Sequence, residues 1–226
     1  MEMNLQFFGG RGADGGGPSL SKGSGKSIGI RNSEDIWSYR HNPNNEPFAN
    51  QMISSSQDVQ KDFPGLFKEN LNSVNAANFT GADNVSTLGV YSASDKSVTL
   101  NKNYTNVDKM NTVYDKAVEK NYHPSRGDKT GVEAVTYHEM GHAITEHIAQ
   151  QGGFKDLDTA SVDIVNKAYK ASNGKGGTKA WAKNISGYAT ENYAECVAEA
   201  VADHYCNGSK ASKQSKAIWN ELKKYS

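Results

Sequence analysis

The stretch Val132-Glu133-Ala134-Val135-Thr136-Tyr137-His138-Glu139-Met140-Gly141-His142-Ala143-Ile144 constrains the chain more than any other. Val132, Val135, Ala143, Ile144 and Ile148 recur at helical spacing, which predicts a helix with an apolar face toward the core. His138, Glu139 and His142 interrupt that face. Burying two imidazoles and a carboxylate without partners is costly, and one metal ion satisfies all three. Residues four apart on a helix stand one turn above each other, so His138 and His142 can reach a single point and hold Zn2+ through neutral nitrogens. Glu139 then faces the same cleft, where it can take a proton from a water whose pKa the metal has lowered to about 7. Gly141 weakens the helix by about 1 kcal/mol relative to Ala, yet it lets another segment approach the backbone closely. The plainer alternative is a chance match with Glu139 as a surface charge.

Two histidines leave zinc short of a third protein ligand. A metzincin continuation would need Gly and His where Thr145 and Ile148 stand, which excludes that class. His147 lies about 140° around the helix from His142 at about 100° per residue, so it reads as a solvated histidine or one behind the ligands. Residues 186–203 offer more: Ala194, Val197, Ala198, Val201 and Tyr205 form a second helical stripe, bordered by Glu195 and Glu199 one turn apart. One carboxylate can reach zinc while the other orients a zinc histidine through its second ring nitrogen. The alternative is an alanine-rich helix with a charged solvent face, and Glu191 is a rival ligand one turn earlier.

HEMGH followed by SGYATENYAECVAEAVAD resembles the gluzincin peptidases, in particular the catalytic domain of anthrax lethal factor and metallopeptidase-like domains of phage and prophage proteins. The resemblance covers residues 85–206. It implies His138, His142 and Glu195 as ligands of one Zn2+, Glu139 as general base, Tyr188 as oxyanion donor and Glu199 behind a ligand histidine. It also implies an α+β, mainly helical zincin-like domain with a small β-sheet or hairpin beside the motif helix, and zinc-dependent endopeptidase activity on a peptide or protein substrate. Two alternatives stand beside this expectation: a virion structural or binding protein that keeps zinc for stability, and a delivered effector or toxin peptidase. The leader NLQFFGGRGADGGG is similar to the N-termini of structural and morphogenesis proteins from phages of Gram-positive bacteria. That implies a prophage gene, phage structural proteins as partners, and residence in the host cytoplasm or the virion.

The remaining chain sets bounds. With 226 residues it is long enough for one domain and an appendage. Its formal net charge of zero offers no basic excess for nucleic acid, and the lysines near the C-terminus read as the solvated face of an amphipathic helix. No apolar run reaches the 18 or so residues of a membrane span, and the acidic start does not resemble a secretory signal. Cys196 and Cys206, about 15 Å apart on one helix, are too distant for a disulfide, whose Cα atoms lie within about 7 Å.

The expected organisation is a flexible Gly/Ser-rich tail (1–30), then a single domain (31–226). The domain divides into a helical N-terminal layer (31–84), the catalytic core (85–206) and a C-terminal helix (207–226). A phosphate-loop-like run at 23–27 lacks the first glycine of that motif and a preceding strand. Leu88, Val90, Tyr91 and Val98-Thr99-Leu100 around a turn at Ser94-Asp95-Lys96 predict a hairpin, and the pattern from Val107 to Val118 predicts a helix. His123, in the loop before the motif helix, is expected to be exposed. The polar loop 172–179 is expected to connect the helix around Val162 to Tyr169 with the Tyr188 region and to move over the cleft.

Overall fold

The computed structural model describes Leu20, residues 29–80 and residues 86–226. The expected tail, its phosphate-loop-like run at 23–27 and the phage-like leader lie almost wholly outside the described residues. From Gly29 the chain runs β1 (Gly29–Asp35), α1 (Ile36–Tyr39), α2 (Glu46–Asp62), α3 (Pro64–Glu69), β2 (Ser73–Thr80), β3 (Gly89–Ser92) and β4 (Ser97–Asn101). It continues with α4 (Val107–Glu119), α5 (Gly131–Gln151), α6 (Leu157–Ala171), α7 (Thr178–Ala182), a 3-10 turn (Tyr188–Thr190), α8 (Tyr193–Asn207) and α9 (Lys213–Leu222). Among the described residues the fold is α+β and mainly helical, with one four-stranded sheet in the order β1-β2-β4-β3. None of the described helices is long and apolar enough to cross a membrane.

The expected hairpin is β3 antiparallel to β4, in register Gly89 to Leu100 and Tyr91 to Val98. Lys96 completes its turn at φ 52°. The helical N-terminal layer needs correction, because strands bracket it: β1 pairs antiparallel with β2, and β2 pairs parallel with β4. Val74, expected in a helix, opposes Val98 in the sheet. A parallel neighbour far along the chain decides that strand, and local periodicity carries no trace of such a partner. Asp35 caps α1, its carboxylate accepting from Trp37 N at 3.0 Å, and the helix it starts is one turn long.

Helix α5 is the centre of the molecule, buried from Gly131 to Ala149 apart from Glu133 and Glu146. A capping box starts it: Thr130 Oγ1 accepts from Glu133 N at 3.2 Å, and the Glu133 carboxylate accepts from Thr130 N at 2.8 Å. The sheet covers one side of α5, α2 and α6 flank it, and α8 makes its most extensive packing. A Cβ on Gly141 would stand 2.7 Å from Ala198 Cα, so the close approach expected of this glycine is the crossing of α5 over α8. Asn192 Oδ1 accepts from Glu195 N at 2.9 Å and begins α8, which leaves Glu195 in the first turn, where the helix dipole favours a carboxylate. Asp203 fastens the other end, accepting from Ser212 N at 2.9 Å and Ser215 Oγ at 2.6 Å at the start of α9.

Candidate metal centre

His138 and His142 stand one turn apart on α5, with ring centroids 5.1 Å apart, and Glu195 reaches them from the first turn of α8. Ligand atoms of these three buried residues all lie within 4.8 Å of one another. Glu195 Oε2 is 3.1 Å from His138 Nε2 and 3.4 Å from His142 Nε2. Adjacent ligands of a tetrahedral zinc at about 2.0–2.1 Å stand about 3.3 Å apart, so the spacing suits such an ion. Glu195 Oε1 has no hydrogen-bond partner among the described residues and Oε2 faces the two imidazole nitrogens, although the residue is 1% exposed. A buried anion with idle lone pairs is expensive, and a cation at the meeting point removes that cost. Two imidazole nitrogens and one carboxylate oxygen form a donor set that zinc accepts.

The charges of the cluster point the same way. Burial opposes a charged His138, but Glu195 and Glu199 override it and hold the ring well above the ordinary imidazole value. Burial would raise Glu195 too, yet the two histidines draw it well below the usual carboxylate range. The site thus favours positive charge where the three groups meet. Such a meeting point suits a metal ion in place of that proton.

Glu139 lies beside this group, buried, with Oε1 lacking a partner among the described residues. Burial raises its pKa to about 7 against the pull of His138 and His142, and the Tyr91 backbone N–H donates to its carboxylate. Asn101 N donates to Leu88 O at 2.9 Å, so the alternation of the antiparallel ladder turns the main-chain groups of Gly89 and Tyr91 away from β4, toward the free edge of the sheet. A Cβ on Gly89 would stand 2.9 Å from Val135 Cγ1 and 3.0 Å from Glu139 Oε1. The edge strand β3 and the motif helix therefore meet at Glu139.

Glu199, one turn beyond Glu195, receives His138 Nδ1 at 2.8 Å, which is the orienting contact expected of it. It also receives Ser186 Oγ at 2.7 Å. Burial opposes its charge, but His123 and His138 hold it at about 2. Tyr188 is buried, its ring centroid 6.0 Å from that of His138, and burial followed by the Glu195 charge raises its phenol well above the ordinary value. It stays a hydrogen-bond donor. Glu191, the rival ligand, is exposed and outside the group.

Two expectations change. His123 is 2% exposed, where an open loop histidine was expected, with Nδ1 3.0 Å from Glu199 Oε1. His147 is buried away from the centre, its Nδ1 2.6 Å from Asn70 Oδ1. Both are decided by partners remote in sequence. Sequence reasoning gave no role to Gly89, Tyr91, Ser186 or Tyr122, whose ring lies 5.0 Å from Tyr188. The loop 172–179 ends in α7, which begins at Thr178. Cys196 and Cys206 are free thiols, as their spacing requires. A scan of protein-family models and searches of curated proteins and solved structures found no match to the chain.

Proposed function

We propose that the protein is a zinc-dependent endopeptidase of gluzincin type. One observation carries the reading: a buried carboxylate, Glu139, stands beside three metal-ligand groups and is held by the edge strand rather than joining them. Structural zinc sites usually close with four protein ligands, whereas three with an adjacent base leave a place for water and substrate. His138, His142 and Glu195 would hold the ion, which supplies a Lewis acid that acidifies water and polarises a carbonyl. Glu139 accepts the proton of the attacking water and returns it to the leaving amine. Tyr188 donates a hydrogen bond to the developing oxyanion. The free edge of β3 offers an extended peptide a strand to pair with, which aligns its scissile bond over Glu139. The phage-like leader supports a prophage origin.

The test is zinc content and cleavage measured together. Wild type is expected to carry one zinc. Glu139→Gln is expected to keep the metal and lose about 10²–10⁴-fold or more in kcat. Undiminished cleavage in that variant, or zinc retained at full affinity by Glu195→Ala, would sink the mechanism. Metal without turnover in wild type, on peptide libraries and on virion and host lysates, would favour the structural alternative. Mass spectrometry of those digests separates maturation of a virion protein from attack on a host protein.

A further inference from the structure

Glu199 Oε1 lies 2.8 Å from His138 Nδ1 and 3.0 Å from His123 Nδ1, while Glu199 Oε2 takes Ser186 Oγ–H at 2.7 Å. All three side chains other than Ser186 are essentially inaccessible. One oxygen cannot donate to two rings at once. A protonated carboxyl would also set its proton against one of three donors, so the arrangement is satisfied when the carboxylate accepts from both imidazoles and the hydroxyl. His138 then carries a proton on Nδ1 and turns Nε2, the nitrogen a metal would take, toward Glu195. Left with His138 and Ser186 alone, Glu199 would be a buried anion with one donor fewer, free to swing about its side-chain torsions.

His123 is itself held rigidly. Its ring stacks on Tyr114 at 5.4 Å and 14°, and Tyr114 Oη donates to Pro124 O at 3.2 Å. The loop carrying it is tied to the Tyr188 turn by Gly187 N to Asn121 O at 2.7 Å and Tyr188 N to Tyr122 O at 3.0 Å. A Cβ at Gly187 would stand 2.9 Å from Asn121 O, so the first of these bonds depends on the glycine. Through these contacts the loop before α5, the tyrosine turn and both ligand helices converge on one carboxylate.

We infer that His123 is a positioning residue: it anchors Glu199 so that Glu199 fixes the tautomer and ring orientation of His138 for the metal. This rests on the zinc reading above, and it assigns His123 no contact with substrate. Removing the group bonded directly to a ligand histidine, here Glu199, typically costs about 10–100-fold in metal affinity, and His123 stands one hydrogen bond further out.

The experiment measures Zn2+ affinity by competition with a chromogenic chelator, and the ligand-field spectrum of the Co2+-substituted protein, with circular dichroism as a check on folding. His123→Phe keeps a ring against Tyr114 but removes the N–H. His123→Asn restores an N–H close to the Nδ1 position. The expected result is a loss at the lower end of that range, about 10-fold, in zinc affinity and an altered Co2+ spectrum for His123→Phe, with both largely restored in His123→Asn. Should His123→Phe fail to fold, His123→Leu makes the same comparison with Asn. Equal affinities and identical spectra in the donor-free and donor-bearing variants would overturn the role of His123 while leaving the metal centre intact. A wild type that takes up no zinc would overturn the centre itself, and the role of His123 with it.

Discussion

At Glu139, burial and two neighbouring imidazoles act in opposite directions, and the carboxyl settles near neutrality, at about 7. Tyr188, across the cluster, is a phenol kept protonated by burial. Tyr188→Phe is expected to lower kcat by about 10²–10³-fold while leaving zinc stoichiometry unchanged, because the hydroxyl is asked only to stabilise charge that develops during reaction. Steady-state kinetics with metal analysis on one preparation checks this, and an unchanged kcat removes Tyr188 from the oxyanion role. His147 shows the opposite fate for a histidine on the same helix. Burial lowers its pKa, Glu69 at 3.9 Å opposes this in part, and Asn70 Oδ1 accepts from its neutral ring. The unfolded chain therefore binds this proton more readily than the fold does. The stabilisation is full above about pH 6.5 and is lost as pH falls from there through the lowered folded-state value. His147→Gln is expected to flatten the decline in denaturant midpoint between about pH 7 and pH 5, read from chevron-free equilibrium titrations at each pH.

Among the elements, the α5–α8 crossing matters most, since one helix brings His138, Glu139 and His142 and the other brings Glu195 and Glu199. The crossing depends on the missing side chain at Gly141, opposite Ala198 Cα at 2.7 Å from an added Cβ. Gly141→Ala should raise helix propensity by about 1 kcal/mol, yet it drives a methyl into a backbone carbon that cannot turn aside. Overpacking of this kind costs about 1–3 kcal/mol, so a net loss of stability and weakened zinc binding are expected from urea titration and chelator competition. A stabilised variant with native zinc affinity would mean that the helices meet elsewhere. Thr130→Ala removes one half of the capping box and is expected to cost about 1 kcal/mol, with kcat little changed because the cap lies two turns from His138. The HExxH helix and the Glu-bearing helix were both legible from their apolar stripes, since each buries one face or more. The strands β1 and β2 were not, because their pairing is a matter of neighbours brought from elsewhere in the chain.

For the whole molecule, the metal is expected to act as a tie between α5 and α8. At zinc about 100-fold above its dissociation constant, binding adds about 2.7 kcal/mol to the folded state. Removing it with a chelator should lower Tm by about 5–10 °C in a domain of this size, reversed on adding Zn2+, as calorimetry would record. Chain order alone determined that His138, Glu139 and His142 share one helix face, because the α-helical period is a local property of the backbone. It also made Glu195 and Glu199 neighbours on a second helix. Which of the downstream glutamates meets the histidines is another matter. Glu191 is exposed, Glu195 joins the two imidazoles, and Glu199 turns behind them. The buried anchoring of His123 to Glu199, and of Glu139 to the edge of β3 through Tyr91, likewise arises only when separate segments pack together. Periodicity carries information about which face of an element is apolar. It carries none about which distant polar group will stand opposite, and that choice belongs to close packing and to the need of each buried charge for a partner.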